Sequence, residues 1–371
     1  MNRIINWMGG WPKEGLIGAG EWEERTGKFA ATGRQETFGT EPVQGHFGLR
    51  EQVAERIAGS AAERDPSRVW IAAGADAAIE LAVRGWLRAE DVVLVERPCG
   101  RSALQIFQRA GAVAVAVPGD RDGMDPDALA RAIRQWKPKL VYAAVACTDP
   151  EGRAWSAERR IALAERCREA NVPLLRDDRQ LLLAQDGLAP DAEAEAGAPL
   201  CSVGEWPPGI VADLRLGWLA CRGIGEERLQ ALSAGSGRLP QVPPAEQQAA
   251  AELLQAGTLE SLVATQRFVC QARVGLLLEQ LSRHNPRALA WETPKEGMHV
   301  WVTLPEGLDA DSLLRAAWIH GLLFQPGRAF YASEPERFKL RITAVHSDEK
   351  QIRAGVQRLQ ATVEEMMGRY G

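Results

Sequence analysis

The sequence lacks lysine over a long central segment, with none between Lys139 and Lys295. The lysine amine is the side chain that forms Schiff bases with carbonyl compounds and then moves protons at the neighbouring carbon. This absence excludes such chemistry by any residue of that segment.

Paired cysteines and long apolar runs are also missing. The six cysteines are scattered, with no Cys-x-x-Cys pair and no short cluster, so their spacing predicts neither a metal site nor a disulfide framework. No apolar run approaches 18 residues, and the first residues lack the apolar core of a signal peptide. These absences predict a soluble, cytoplasmic protein with reduced cysteines and no membrane partner.

Length and charge narrow the choice further. A chain of 371 residues is too long for one small core and predicts one large domain plus a smaller one. The net charge of −5 and the isoelectric point of about 5.7 disfavour a broad basic surface, so we expect no nucleic-acid partner.

The central part of the chain alternates helical and short apolar segments. The patterns predict strands at 69–73, 92–95, 112–117, 140–145 and 172–175. Between them they predict helices at 77–88, 102–110, 126–135 and 157–170, after a first helix at 49–59. Continuous apolar strands separated by helices of about ten residues or more indicate a largely parallel sheet covered on both faces. We therefore predict an α/β large domain at 46–283.

The pattern changes after a helical region at 246–283. Strands are predicted at 298–304 and 340–344, flanked by helices at 309–320 and 348–367. This order indicates a small α+β domain at 284–371, and we expect residues 1–45 to form an N-terminal arm that joins it.

Landmarks in a fixed order extend over nearly the whole chain. They are Gly9-Gly10-Trp11-Pro12, Phe38-Gly39, Gly45-His46-Phe47-Gly48-Leu49-Arg50, Ala73-Gly74-Ala75, Glu96-Arg97-Pro98, Asp122-Gly123-Met124, Asp149-Pro150-Glu151-Gly152, Arg176-Asp177-Asp178, Leu214-Arg215-Leu216-Gly217-Trp218, Gly297-Met298 and Leu340-Arg341. In order and spacing the chain resembles pyridoxal-phosphate (PLP)-dependent aminotransferases of class I/II, which have fold type I. Within them it is most similar to 2-aminoadipate-like aminotransferases and to the aminotransferase-like domains of MocR-type regulators.

The resemblance implies that part of a cofactor and substrate site is retained. The turn Ala73-Gly74-Ala75 precedes a helix and would hold a phosphate, and Arg215 would grip the same phosphate. Asp177 would pair with the pyridine nitrogen, whereas Arg341 and the Gly10 segment would bind the substrate carboxylate. Each feature also has a structural interpretation, because glycine turns, aspartates at strand ends and paired arginines are common in α/β proteins.

Other positions depart from the family pattern. The resemblance places the Schiff-base lysine at Pro208, the phosphate-binding serine at Glu205 and the ring-oxygen tyrosine at Gln180. The turn asparagine is Asp149, the stacking aromatic residue is Gly100, and Phe38 takes the place of a tyrosine that a neighbouring subunit usually provides. Proline has no amine, and a glutamate repels a phosphate dianion at close range.

Two interpretations follow from these losses. The first is a cofactor-free pseudoenzyme, a homodimer with a ligand-binding or regulatory role, whose partner is a small carboxylate or an active aminotransferase paralogue. The alternative is an aminotransferase-like enzyme that binds PLP or pyridoxamine phosphate (PMP) noncovalently and acts on an amino acid or 2-oxo acid. In that case His46 or His299 would replace the lysine as base.

Overall fold

The structure is a computed structural model of the chain. It describes residues 4–12, 14, 16–32, 43–57, 64–183, 197–211, 214–236, 239–284, 289–295 and 297–370. Phe38, which the resemblance places near the phosphate of a neighbouring subunit, lies outside the described residues.

Helices and strands follow one another through most of the described chain. The strands are β1 (Ile5–Trp7), β2 (Val69–Ala72), β3 (Val92–Val95), β4 (Val113–Ala116), β5 (Gly119–Asp120), β6 (Gly123–Met124), β7 (Leu140–Ala143), β8 (Leu174–Asp177), β9 (Leu200–Glu205), β10 (Gly217–Arg222), β11 (Ala290–Trp291), β12 (Val300–Thr303), β13 (Leu322–Pro326) and β14 (Lys339–Ile342). The helices are α1 (Ala19–Thr32), α2 (Phe47–Ile57), α3 (Ala75–Trp86), α4 (Arg101–Arg109), α5 (Pro126–Trp136), α6 (Ala157–Ala170), α7 (Glu226–Ser236), α8 (Pro244–Gln255), α9 (Thr258–Arg283), α10 (Ala310–Ile319) and α11 (Glu349–Tyr370).

A seven-stranded sheet forms the centre of the larger part. Its order is β2-β10-β9-β8-β7-β3-β4, in which only β10 runs antiparallel to its neighbours. Apolar side chains cover both faces: Trp70 and Ala72 pack with α3, α4 and α7, whereas Val69 and Ile71 pack with α1, α2 and α8. The predicted α/β fold with a largely parallel, doubly covered sheet is confirmed.

Strands β9 and β10 correct one expectation from the sequence. They pair antiparallel with Cys201 directly opposite Cys221, and a disulfide joins these two buried residues. The prediction of unpaired cysteines was therefore wrong. Twenty residues separate the two cysteines, so only the pairing of the strands brings them together.

A second sheet, of five strands, has the order β1-β13-β14-β12-β11. The N-terminal β1 pairs parallel with β13, so Ile5 lies beside Leu322. The sheet packs against α9, α10 and α11 through one apolar cluster. The domain limits at 45 and 283 stay predictions. No helix within the described parts of the chain is long and apolar enough to cross a membrane.

Candidate active site

The N-terminus of α3 lies just beyond the carboxyl end of β2 in the seven-stranded sheet. Gly74 precedes the helix at φ +91° and offers no side-chain cap to the first N–H groups. Strand β10 approaches closely here, because a Cβ on Gly217 would lie 2.5 Å from the carbonyl carbon of Gly74. The two glycines thus leave a backbone N–H cluster at the positive end of a helix dipole, an arrangement that favours anions.

Glu205, the last residue of β9, occupies this helix end. Its Oε2 accepts a hydrogen bond of 2.9 Å from the backbone N–H of Ala75. Burial raises the pKa of the carboxyl to about 7, against the opposing effects of Arg179 and of the Ala75 N–H. A carboxylate of the chain itself therefore lies where the resemblance places a phosphate.

Asp177 ends β8 and is buried. The hydroxyl of Tyr142, on the neighbouring strand, donates a 2.6 Å hydrogen bond to its Oδ2. The Nε of Arg179 lies 2.9 Å from each of its carboxylate oxygens. Burial and the charge of Asp177 raise the pKa of Tyr142 well above its usual value, so the tyrosine remains a donor.

Arg179 connects three elements around this aspartate. In addition to Asp177, its Nη1 donates to Asp76 Oδ1 at 2.7 Å and to Ser102 Oγ at 3.3 Å. The guanidinium therefore bridges the end of β8 to the first turns of α3 and α4. Arg179 was not singled out from the sequence, and this bridge was missed.

The predicted carboxylate-binding arginine is also paired within the chain. Arg341 on β14 donates from Nη1 to Asp149 Oδ1 at 2.6 Å and from Nη2 to the carbonyl of Met8 at 3.0 Å. Burial raises the pKa of Asp149, but the charges of Arg341, His299 and Arg179 and the hydrogen bond from Arg341 together outweigh it, so the net pKa is below the usual value. Gly10, at φ +136°, packs against His346.

Pro208 lies in the turn that follows β9. Its carbonyl accepts a 2.8 Å hydrogen bond from Nε2 of Gln266, and Gly209 follows at φ +96°. Arg215, the predicted phosphate-binding arginine, is exposed and makes no hydrogen bond or ion pair with the other described residues. Arg215 is followed by Leu216. The Leu216 carbonyl accepts a hydrogen bond from the backbone N–H of Trp206, the residue after Glu205.

The remaining altered positions lie between these groups. Gln180 accepts a hydrogen bond of 3.3 Å from Cys147 Sγ and packs against Gly297. A Cβ on Gly100 would lie 3.6 Å from Asp149 Oδ2 and 3.7 Å from the Tyr142 hydroxyl. Gly100 therefore provides no side chain beside Asp149, where the resemblance places an aromatic ring.

The two candidate histidines differ in position. His299 is buried, and its Nδ1 lies 2.8 Å from Thr343 Oγ1. Burial lowers its pKa to about 3, an effect that Arg341 strengthens and Asp149 opposes. His46 instead accepts at Nδ1 from the Leu49 N–H at the start of α2, and its backbone N–H donates to Gln247. His299 therefore lies among the residues around Arg341.

Comparison with known proteins shows a family resemblance. The model of aminotransferase class I and II matches residues 21–179. The chain is similar to this family over that part. Over 362 residues it is 28% identical to a 2-aminoadipate transaminase of Thermus thermophilus, a match that covers 96% of this chain and 89% of the relative.

Structural and regulatory relatives extend this aminotransferase match. The crystal structure of an α-aminoadipate aminotransferase from Thermus thermophilus, complexed with N-(5'-phosphopyridoxyl)-L-leucine, is 27% identical and superposes with a TM-score of 0.87 over 98% of this chain and 93% of the other. An HTH-type transcriptional regulator, YisV of Bacillus subtilis, is 25% identical over 89% of this chain and 68% of its own length.

These matches contradict the expectation that no cofactor is bound. The transaminases align over nearly the whole chain, and the solved relative was complexed with a phosphopyridoxyl compound. The loss of the Schiff-base lysine at Pro208 does not by itself exclude a bound cofactor. The other cofactor-binding groups that the resemblance implies, Asp177, Arg215 and the N-terminus of α3, do not require a covalent bond to the protein.

Proposed function

We propose that this protein binds PLP or PMP noncovalently and acts on an amino acid or 2-oxo acid as an aminotransferase-like enzyme with an atypical site. One observation carries the proposal. In an aminotransferase fold, buried Asp177 and the N-terminus of α3 both lie at the carboxyl ends of strands of the seven-stranded sheet. Arg179 bridges them, because it contacts both Asp177 and Asp76 on α3.

The charges and donors of the chain fit the cofactor once two side chains move. Asp177 would pair with the pyridine nitrogen, and the first N–H groups of α3 together with Arg215 would hold the phosphate. Glu205 must withdraw from Ala75, and Arg179 must withdraw from Asp177, since both now occupy those partners. When bound, the cofactor supplies an electron sink for bonds to the substrate's α-carbon.

Substrate binding falls to Arg341. Its guanidinium lies at the five-stranded sheet, 4.9 Å from the ring centroid of Phe330, and is suited to hold a carboxylate by two parallel hydrogen bonds. Asp149 must release Arg341 for this to happen. The arginine thereby orients the substrate and favours substrates that carry a carboxylate.

Proton transfer must proceed without a lysine. Pro208 provides no amine, so the cofactor cannot be bonded to the chain there. His299 is the histidine that interacts with Arg341 and Asp149, and with a pKa of about 3 it is neutral at physiological pH. Such a weak base assists proton transfer poorly, and we therefore expect slow turnover.

Transfer of the amino group tests the enzymatic part of this proposal. Protein mixed with PMP and a panel of 2-oxo acids is followed by the change from the pyridoxamine to the pyridoxal spectrum and by the amino acid formed. We expect slow conversion, above the protein-free rate. Arg341→Gln should raise the KM for the 2-oxo acid at least tenfold, while Arg337→Gln, which loses a surface pair with Asp309, should leave it unchanged.

A second candidate function is favoured by Pro208 alone. Without an amine in the slot, the protein would serve as a noncatalytic ligand-binding or regulatory pseudoenzyme, responding to a small carboxylate or pairing with an active aminotransferase paralogue. Cofactor binding without any conversion of PMP would favour this candidate over the enzyme.

A further inference from the structure

Charged groups of the chain stand in for charges of the ligand at both ends of the site. The Glu205 carboxylate accepts from the Ala75 N–H as a phosphate would. The Arg179 guanidinium donates to Asp177 as a protonated pyridine nitrogen would. A ligand with a phosphate and a protonated pyridine nitrogen must therefore displace a group of its own charge at each end: Glu205 at the phosphate end and Arg179 at the pyridine end.

We propose that Glu205 is a specificity-determining residue, whose carboxylate competes with the cofactor phosphate for the N-terminus of α3 and couples phosphate binding to proton uptake. This inference rests on the proposed function, because it concerns the same cofactor. Its consequence is that the protein selects phosphorylated ligands more strongly in mildly acidic than in alkaline solution.

The geometry leaves no place for both anions. Glu205 Oε2 lies 2.9 Å from the Ala75 nitrogen and 3.5 Å from the position of a Cβ on Gly74. A phosphate oxygen bound to the same N–H would therefore overlap the carboxylate or lie beside it. Two like charges this close repel strongly in a buried site, where water screens them little, so the charged carboxylate must leave or take up a proton.

The charged neighbours of Glu205 explain why a proton can relieve this conflict. Burial is the largest effect opposing its ionisation, and Asp177 at the end of β8 and Asp76 on α3 add to it, whereas Arg179 and the Ala75 N–H favour the charged form. Arg215, one residue before Leu216, is exposed to solvent. The resulting pKa of about 7 means that the carboxyl is largely neutral at pH 6 and largely charged at pH 8.

The direction of the pH effect follows from the sign of the charge. Below pH 7 the neutral carboxyl does not repel the phosphate, so binding needs no proton. Above pH 7 each bound phosphate requires one proton on Glu205 or loss of its contact with Ala75. Affinity for PLP should then fall by up to about tenfold per pH unit, the limit for uptake of one proton.

Calorimetric titration with PLP at pH 6, 7, 8 and 9 tests the inference on the wild type and on Glu205→Gln. The phosphate of PLP titrates near pH 6, and this contribution is common to both proteins. Their ratio of Kd values therefore isolates Glu205. We expect the Kd of the wild type for PLP, divided by that of Glu205→Gln, to rise at least tenfold between pH 6 and pH 9.

Glu80→Gln is the matched control. It removes an acid from the same helix, where Glu80 pairs with Arg84, and it should keep the pH dependence of the wild type. Thermal unfolding of each protein at each pH verifies that all are folded. Equal pH dependence of the wild type and Glu205→Gln overturns this inference but leaves the proposed function intact. No PLP binding by any of the three proteins overturns both.

Discussion

At the scale of single residues, the candidate site contains acids that pair with the groups proposed to bind the ligand. Asp149 neutralises Arg341, and Glu205 covers the Ala75 N–H. Neither contact requires a bound ligand, so both are satisfied in the protein alone. Binding of an anionic ligand becomes an exchange of one carboxylate or phosphate for another, which lowers the net gain in free energy.

Asp149→Asn should release Arg341 from this exchange. The amide keeps the shape of the side chain but loses the charge that holds the guanidinium at 2.6 Å. We expect the affinity for 2-oxoglutarate, measured by calorimetry on the PMP-loaded protein, to rise about fivefold to tenfold, equivalent to about 1 kcal/mol.

Asp309→Asn is a suitable control for this change. Asp309 pairs with Arg337 and caps α10 through Ser312, and asparagine is an equally good cap. Its 2-oxoglutarate affinity should equal that of the wild type. If Asp149→Asn also leaves the affinity unchanged, Asp149 does not compete for Arg341.

The sequence identified most of these residues but not their contacts. Asp149, Asp177, Glu205 and Arg341 were all named from the order of the landmarks. Asp149 and Arg341 are 192 residues apart in the chain, and no local pattern indicates that they meet. The bridge formed by Arg179 depends equally on the relative placement of three elements, which sequence periodicity does not contain.

At the scale of elements, apolar runs predicted the parallel core well. Strand β3 and helix α6 have the predicted limits, because each is marked by its own side chains: four consecutive apolar residues in β3, and a Ser156 cap with Asn171 in left-handed conformation at the ends of α6. Such signals are local, so one sequence is sufficient to read them.

Strand β9 was missed for a physical reason. Strand β9 contains cysteine, serine and glycine among its six residues, and it has no alternation or continuous apolar run that would identify it. Its stability comes from pairing with β8 and β10 on either side. The long helix predicted at 246–283 is likewise two helices, separated by Gly257 at φ +69°.

At the scale of the whole molecule, the candidate site draws on both sheets. Asp177 and Glu205 belong to the seven-stranded sheet, whereas Arg341 belongs to the five-stranded sheet and meets Asp149 across the gap between them. The relative position of the two sheets therefore sets the distance between the cofactor anchors and the carboxylate anchor.

We also propose that the protein is a homodimer, as the fold resemblance implies. Val43 and Phe47, near the start of α2, are 50% and 58% exposed, and a second copy would remove this apolar surface from water. Sedimentation equilibrium should give about twice the chain mass of 40.5 kDa. A monomer at concentrations of tens of micromolar would refute the dimer.

We propose above that the site binds the cofactor without a covalent bond. Calorimetric titration of the wild type with PLP at pH 6, followed by borohydride reduction and mass measurement, tests it most directly. We predict saturable binding with a Kd in the micromolar range and no cofactor mass retained on residues 140–294 of the chain. No heat of binding at millimolar PLP, in both the wild type and Glu205→Gln, would contradict the account.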